Sequence, residues 1–195
     1  MPCLPNSYFY FLGISENDQD TNATQKHIRN ECSVDKNGHK YLLSCSRMNL
    51  RRAADLIPTK KRRLLCLNSH GRSIRVPTKR VTSLDLSYNL LNENELRKVL
   101  RFFPYVRVLR LNGNPIRILA PSLIGRNKML STLVVRNTPS LQGVSTNLLR
   151  GKPIRNIPDR DFDLLDLSNN DQLSPACLSH LFISMDRFGK CTRSG

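Results

Sequence analysis

Cysteine, histidine and carboxylate side chains hold metals and carry most catalysis, and here their spacing is sparse. Cys3, Cys32, Cys45, Cys66, Cys177 and Cys191 include no Cys-x-x-Cys pair, and His27, His39, His70 and His180 stand far apart along the chain. Structural zinc sites are built from such close pairs, so no metal and no other cofactor is expected. No His-Glu-x-x-His, glycine-rich phosphate loop or nucleophile elbow occurs either. Metal-assisted hydrolysis, phosphoryl transfer and acyl transfer therefore have no motif to rest on, and the chain reads as a non-enzyme. Two features carry chemistry of another kind. Asn22-Ala-Thr24 has the spacing of an N-linked glycan acceptor, and Lys60, Lys61, Arg62 and Arg63 form a basic patch that continues through Arg72, Arg75, Lys79 and Arg80.

The 195 residues carry 31 Lys and Arg against 15 Asp and Glu, a formal net charge of +16. Such a field attracts polyanions of any class, and charge by itself does not choose among nucleic acid, sulfated glycan, acidic lipid and acidic protein. Residues 1–31 form an N-terminal segment whose apolar run, Tyr8 to Ile14, reads either as a degraded signal peptide or as a tail. No stretch approaches the roughly 18 apolar residues of a membrane span, so no transmembrane segment is expected in this chain.

The elements that must position any site show themselves as a period. Val81-x-x-Leu84-x-Leu86-x-x-Asn89 recurs as Val106-x-x-Leu109-x-Leu111-x-x-Asn114, 25 residues later. Leu130-x-x-Leu133-x-Val135-x-x-Thr138 follows after 24 more, and Phe162-x-x-Leu165-x-Leu167-x-x-Asn170 after 32. A strand points alternate residues to one face, which predicts the paired aliphatics of each unit inward. Between the first two units, Leu96, Val99, Leu100 and Phe103 recur at helical spacing, with Pro104 closing the run. Ile116, Leu119 and Leu123 follow the second strand, where Pro115 and Pro121 argue against a long helix. Leu178, Leu181, Phe182 and Met185 predict a last helix.

These four units resemble the leucine-rich repeat, whose period is about 20 to 29 residues. The resemblance implies an α/β solenoid with short parallel strands on a concave side and helices or irregular turns on the convex side. It also implies that Asn89, Asn114 and Asn170 form a structural ladder that satisfies backbone groups where each strand ends, with Thr138 as a weaker substitute. Residues 32–80, from Cys32 through Cys45 to Ile57-Pro58, resemble the N-terminal cysteine cap of extracellular members. That likeness implies a Cys32–Cys45 disulfide, although only two of the usual four cysteines are present. Cys177 and Cys191 bracket residues 175–195, a C-terminal capping helix and tail, and are candidates for a second bridge without the customary Cys-x-Cys signature.

Pro58-Thr59-Lys60 recurs as Pro77-Thr78-Lys79, and removing residues 61–79 would leave an ordinary junction between cap and first repeat. The stretch reads as an in-frame insertion, an exposed basic loop or an error in the gene model. Equally, Arg62-x-x-Leu65-x-Leu67-x-x-His70 reads as a further degenerate repeat. The repeats proper span 81–174. In such proteins the concave strand positions bind ligand, which singles out Asp85, Tyr88, Arg107, Arg110, Arg136, Asp163 and Asp166. The mixed charge of that set suits a protein ligand better than a polymer track.

The leading expectation is thus a secreted or extracellular, receptor-like module that binds a protein or an anionic glycan. The alternative is a nuclear or cytoplasmic adaptor that binds RNA or another acidic partner through its basic patch.

Overall fold

The computed structural model describes residues 31–57, 63–145, 147–148, 164–173 and 190–191. Asn22, Lys60, Lys61, Arg62, Asp163 and Cys177, with most of the N-terminal segment and of the expected capping helix, lie outside the described residues. So do the side chains of Arg63 and Cys191.

A glycine in the left-handed region, Gly38 at φ +58°, closes a hairpin of β1 (Ser33–Asn37) and β2 (Lys40–Ser44). One helical turn, α1 (Ala53–Leu56), precedes a second hairpin, β3 (Arg63–Asn68) and β4 (Ser73–Pro77), and a 3-10 turn over Thr78–Arg80. There follow β5 (Val81–Asp85), α2 (Glu93–Leu100), β6 (Val108–Arg110), β7 (Ile118–Leu119), α3 (Pro121–Ile124), β8 (Thr132–Val134), β9 (Gly143–Val144), β10 (Leu164–Asp166) and β11 (Lys190–Cys191). Among the described residues nine strands form one sheet in the order β11-β10-β8-β6-β5-β2-β1-β3-β4, and β7 and β9 pair separately. Every pairing is parallel except within the two hairpins. The fold is mixed α/β, with a large, mostly parallel sheet and few helices.

The aliphatic spacing sets the register. Leu43, Leu84, Leu109, Leu133 and Leu165 stand side by side across β2, β5, β6, β8 and β10, and all are buried. A second buried row, Cys45, Leu86, Leu111, Val135 and Leu167, lies one pleat further on. Burying each such side chain contributes about 1.5–3 kcal/mol against the chain entropy. A one-residue slip would send a whole row to the other face, so the rows fix the pairing.

The helical elements cover this apolar face. Asn92 caps α2 by accepting the Glu95 amide at 3.1 Å, and Leu96, Val99, Leu100 and Phe103 turn inward before Pro104. Ile116, Leu119 and Leu123 are buried around the single turn of α3, which begins at Pro121. The first-turn carboxylates of α2 tie its neighbours to it: Glu95 accepts the Ala53 amide at 2.7 Å, and Glu93 accepts the amides of Arg117 and Ile118 at 2.6 and 3.1 Å.

Residues 63–79, the described part of 61–79, differ from both conformations expected of that stretch. Residues 63–77 form an antiparallel hairpin, not an exposed loop, with Leu64, Cys66 and Val76 in the core. Nor do Leu65 and Leu67 point inward as a degenerate repeat requires: Leu65 is 53 % exposed and the inward phase is displaced by one residue. The physical reason is the partner. β3 pairs with β1, so Leu67 and Asn68 stand opposite Ser33 and Val34, while β2 pairs directly with β5. The hairpin is an excursion to the edge of the sheet and does not interrupt the rows.

Candidate functional site

The turns that end β5, β6, β8 and β10 are densely hydrogen-bonded. Asn89 is buried; its Oδ1 accepts the amides of Met48 and Leu50, both at 3.0 Å, and its Nδ2 donates to the carbonyls of Cys45, Leu86 and Ser87. Asn114 accepts the Leu91 amide at 3.2 Å and donates to the carbonyls of Leu86, Leu111 and Asn112. Asn170 accepts the Thr138 amide at 2.8 Å and donates to the carbonyls of Val135 and Leu167. Thr138 has only a hydroxyl to offer, which accepts the Gly113 amide and donates to the Arg136 carbonyl, both at 3.1 Å. Each group thereby pairs peptide atoms that burial would otherwise leave unsatisfied.

At the hairpin end, Cys32 and Cys45 form a disulfide with Cα atoms 4.5 Å apart. The bridge closes a loop of 13 residues of sequence separation, and loops of that size stabilise by about 3 kcal/mol in the chain-entropy model. Cys66 is a free, buried thiol, and burial, with a smaller effect from Glu31, pushes it up to about 11. It is protonated at neutral pH and reads as packing. Among the described residues no group of three His, Cys, Asp or Glu side chains could hold a metal ion, and no helix is long and apolar enough to cross a membrane.

The opposite, outward face of the strands carries the sequence-selected residues. One outward row runs Ser44, Asp85, Arg110, Val134 and Asp166; another runs Leu42, Ser83, Val108, Thr132 and Leu164. Arg107, Arg110 and Arg136 are exposed, while Asp85 is half-buried. Asp85 accepts the Ser87 amide at 2.8 Å, and Asp166 accepts the Ser168 amide and hydroxyl at 3.1 and 2.8 Å. Asp166 is 1 % exposed and is also paired with the Arg136 guanidinium. Burial acts to raise its carboxyl, but Arg136 and Ser168 outweigh burial and hold it below its usual range. Asp166 thus orients Arg136 and its own turn, and it does not present a free carboxylate.

The sequence reading missed what holds Tyr88. Arg47, Tyr88, Gly113, Asn137 and Asn169 all have φ between 48° and 61°, and four of them directly precede a ladder residue, in Tyr88-Asn89, Gly113-Asn114, Asn137-Thr138 and Asn169-Asn170. Glycine and asparagine adopt this left-handed conformation readily, whereas Arg47 and Tyr88 are strained in it. The Arg47 guanidinium lies 5.0 Å from the Tyr88 ring centroid, and Asn137 Nδ2 is 3.5 Å from the Tyr88 hydroxyl. Gly113 leaves the space the ring occupies; a Cβ there would come within 2.6 Å of Tyr88 Cδ1. Tyr88 nevertheless remains 42 % exposed. Gly113 and Asn137 signal a left-handed turn by residue type; Arg47 and Tyr88 carry no such signal.

No protein-family model, curated protein or solved structure matches this chain.

Proposed function

We propose that the chain is a leucine-rich-repeat solenoid, similar to the extracellular members of that family, and that it binds a protein ligand without catalysis. The binding face in this reading is the outward strand surface, with Tyr88 as its aromatic anchor and Arg107, Arg110 and Arg136 around it. The observation that carries the proposal is the Tyr88 corner. An exposed aromatic ring is kept in a strained backbone conformation, stacked under Arg47 and seated on Gly113. Strain of this kind costs about 1–3 kcal/mol and tends to gather at functional sites, and tyrosine and arginine dominate the energetic centres of protein interfaces. The mixed charges and the aliphatic row Leu42, Val108 and Leu164 favour a protein over a regular polyanion. The Cys32–Cys45 disulfide favours an oxidising compartment, and therefore secretion, over the nucleus or cytoplasm.

The test is a multimerised form of the chain probed against an array of secreted proteins and cell-surface ectodomains. A specific binder whose affinity falls at least about tenfold, or 1.4 kcal/mol, with Tyr88→Ala and with Arg110→Glu supports the proposal. Binding only to heparin or RNA, steeply salt-dependent and indifferent to Tyr88→Ala, would replace it with the polyanion reading.

A further inference from the structure

The helical side of the molecule bears a second surface that the strand-face reading leaves unused. A groove of about 620 Å³ opens between α1, the 3-10 turn and α2, within the roughly 300–1,000 Å³ range of ligand pockets. Its lining combines the apolar Ala53, Ile57 and the 39 % exposed Phe102 with the cations Lys79, Lys98 and Arg101. Among the described residues no acidic side chain lines it.

The nearby carboxylates are already engaged within the fold. Glu95 accepts from Lys98 and from the Ala53 amide, and Asp55 accepts from the amides of Arg51 and Arg52. Lys79 and Arg101 take part in none of the ion pairs among the described residues. Cations at Lys98 and Arg101 suit the C-terminal end of α2, where the helix dipole is negative. Lys79 belongs to a different element, so helix-end electrostatics does not account for its place beside them. We infer that this groove docks a peptide segment in which an aliphatic or aromatic side chain is flanked by aspartate or glutamate. The apolar side chain would cover Ala53, Ile57 and Phe102, and the flanking carboxylates would pair with Lys79 and Arg101. A nucleic-acid strand fits less well, because it stacks bases on successive aromatic platforms and, among the described residues, Phe102 is the only aromatic lining the groove. An acyl chain fits less well, because the groove is open to solvent.

Selection of a displayed random-peptide library on the full-length chain tests this directly. Enriched peptides are expected to place Asp or Glu beside Leu, Ile or Phe. A fluorescein-labelled enriched peptide should bind at least about tenfold more weakly to Ala54→Trp, which fills the groove from an exposed position of α1, and to Lys79→Glu/Arg101→Glu. Tyr88→Ala should bind it like the parent chain, which separates this surface from the strand face. The inference is overturned if nothing enriches, if enriched peptides lack carboxylates, or if Ala54→Trp binds them undiminished. It is also overturned if dansyl-undecanoic acid occupies the groove and excludes the peptide.

Discussion

Asn89 makes contacts that no apolar residue and no shorter polar one could replace, since a single side chain serves two amides and three carbonyls. Truncation removes all of these at once in a buried setting, where an unsatisfied group costs about 1–3 kcal/mol. Asn89→Ala is therefore expected to lower stability by about 2–4 kcal/mol in urea denaturation, partial relaxation offsetting the rest. A loss below about 0.5 kcal/mol would mean that water takes over the bonds. The asparagines were legible in the sequence because their offset from the paired aliphatics is fixed at three positions after the second one, as in Leu86-Ser87-Tyr88-Asn89. Asp166 was not legible in its true role. Residue type and outward phase made it a ligand contact, and only the structure shows it bonded to Arg136 and Ser168.

At the level of elements, β5, with a single strict apolar phase, was readable from its own residues, and β3 was not. Leu84 and Leu86 are flanked by Ser83, Asp85 and Ser87, so only one face can be apolar. In β3 the run Leu64-Leu65-Cys66-Leu67 is apolar at both parities, and period two then leaves the face undecided. Pairing with β1 settles it by placing Leu64 and Cys66 inward. A pair of variants checks the assignment. Leu64→Asp buries an unpaired charge and should unfold or severely destabilise the hairpin, while Leu65→Asp should change stability by no more than about 0.5 kcal/mol. Thermal melts of the two proteins read the difference, and the reverse order would restore the repeat phase for this segment. The short α3 and the pairing of β7 with β9 show a similar division. Pro115 and Pro121 excluded a long helix, but the two-residue strands arise from stacking across units and leave no local signal.

For the molecule as a whole, the excess of basic charge makes its few carboxylates matter. Asp55 is held below its ordinary value chiefly by the Arg52 amide, and Glu95 chiefly by Lys98. In Glu93 and Asp166 burial opposes the shift, but hydrogen bonds led by the Arg117 amide and by the Arg136 side chain win. A carboxyl with a depressed folded pKa stabilises above its unfolded value and loses that contribution as pH falls through the folded one. The melting temperature is therefore expected to hold between about pH 5 and 7 and to fall below about pH 4. Asp166→Asn should flatten part of that fall in differential scanning fluorimetry; an identical profile would show that Asp166 does not contribute. The edge position of β4 has a consequence for how copies of the protein behave together. β4 ends the sheet order, so along its outer side no strand among the described residues takes up its peptide groups. Such an edge invites end-to-end pairing between molecules unless something blunts it. Here Pro77 withholds a donor, and the exposed Arg72 and Arg75 repel a second copy approaching the hairpin. That protection is colloidal and depends on ionic surroundings. A polyanion that neutralised those two arginines would remove it, so conditions that coat the hairpin would also let two molecules pair through β4.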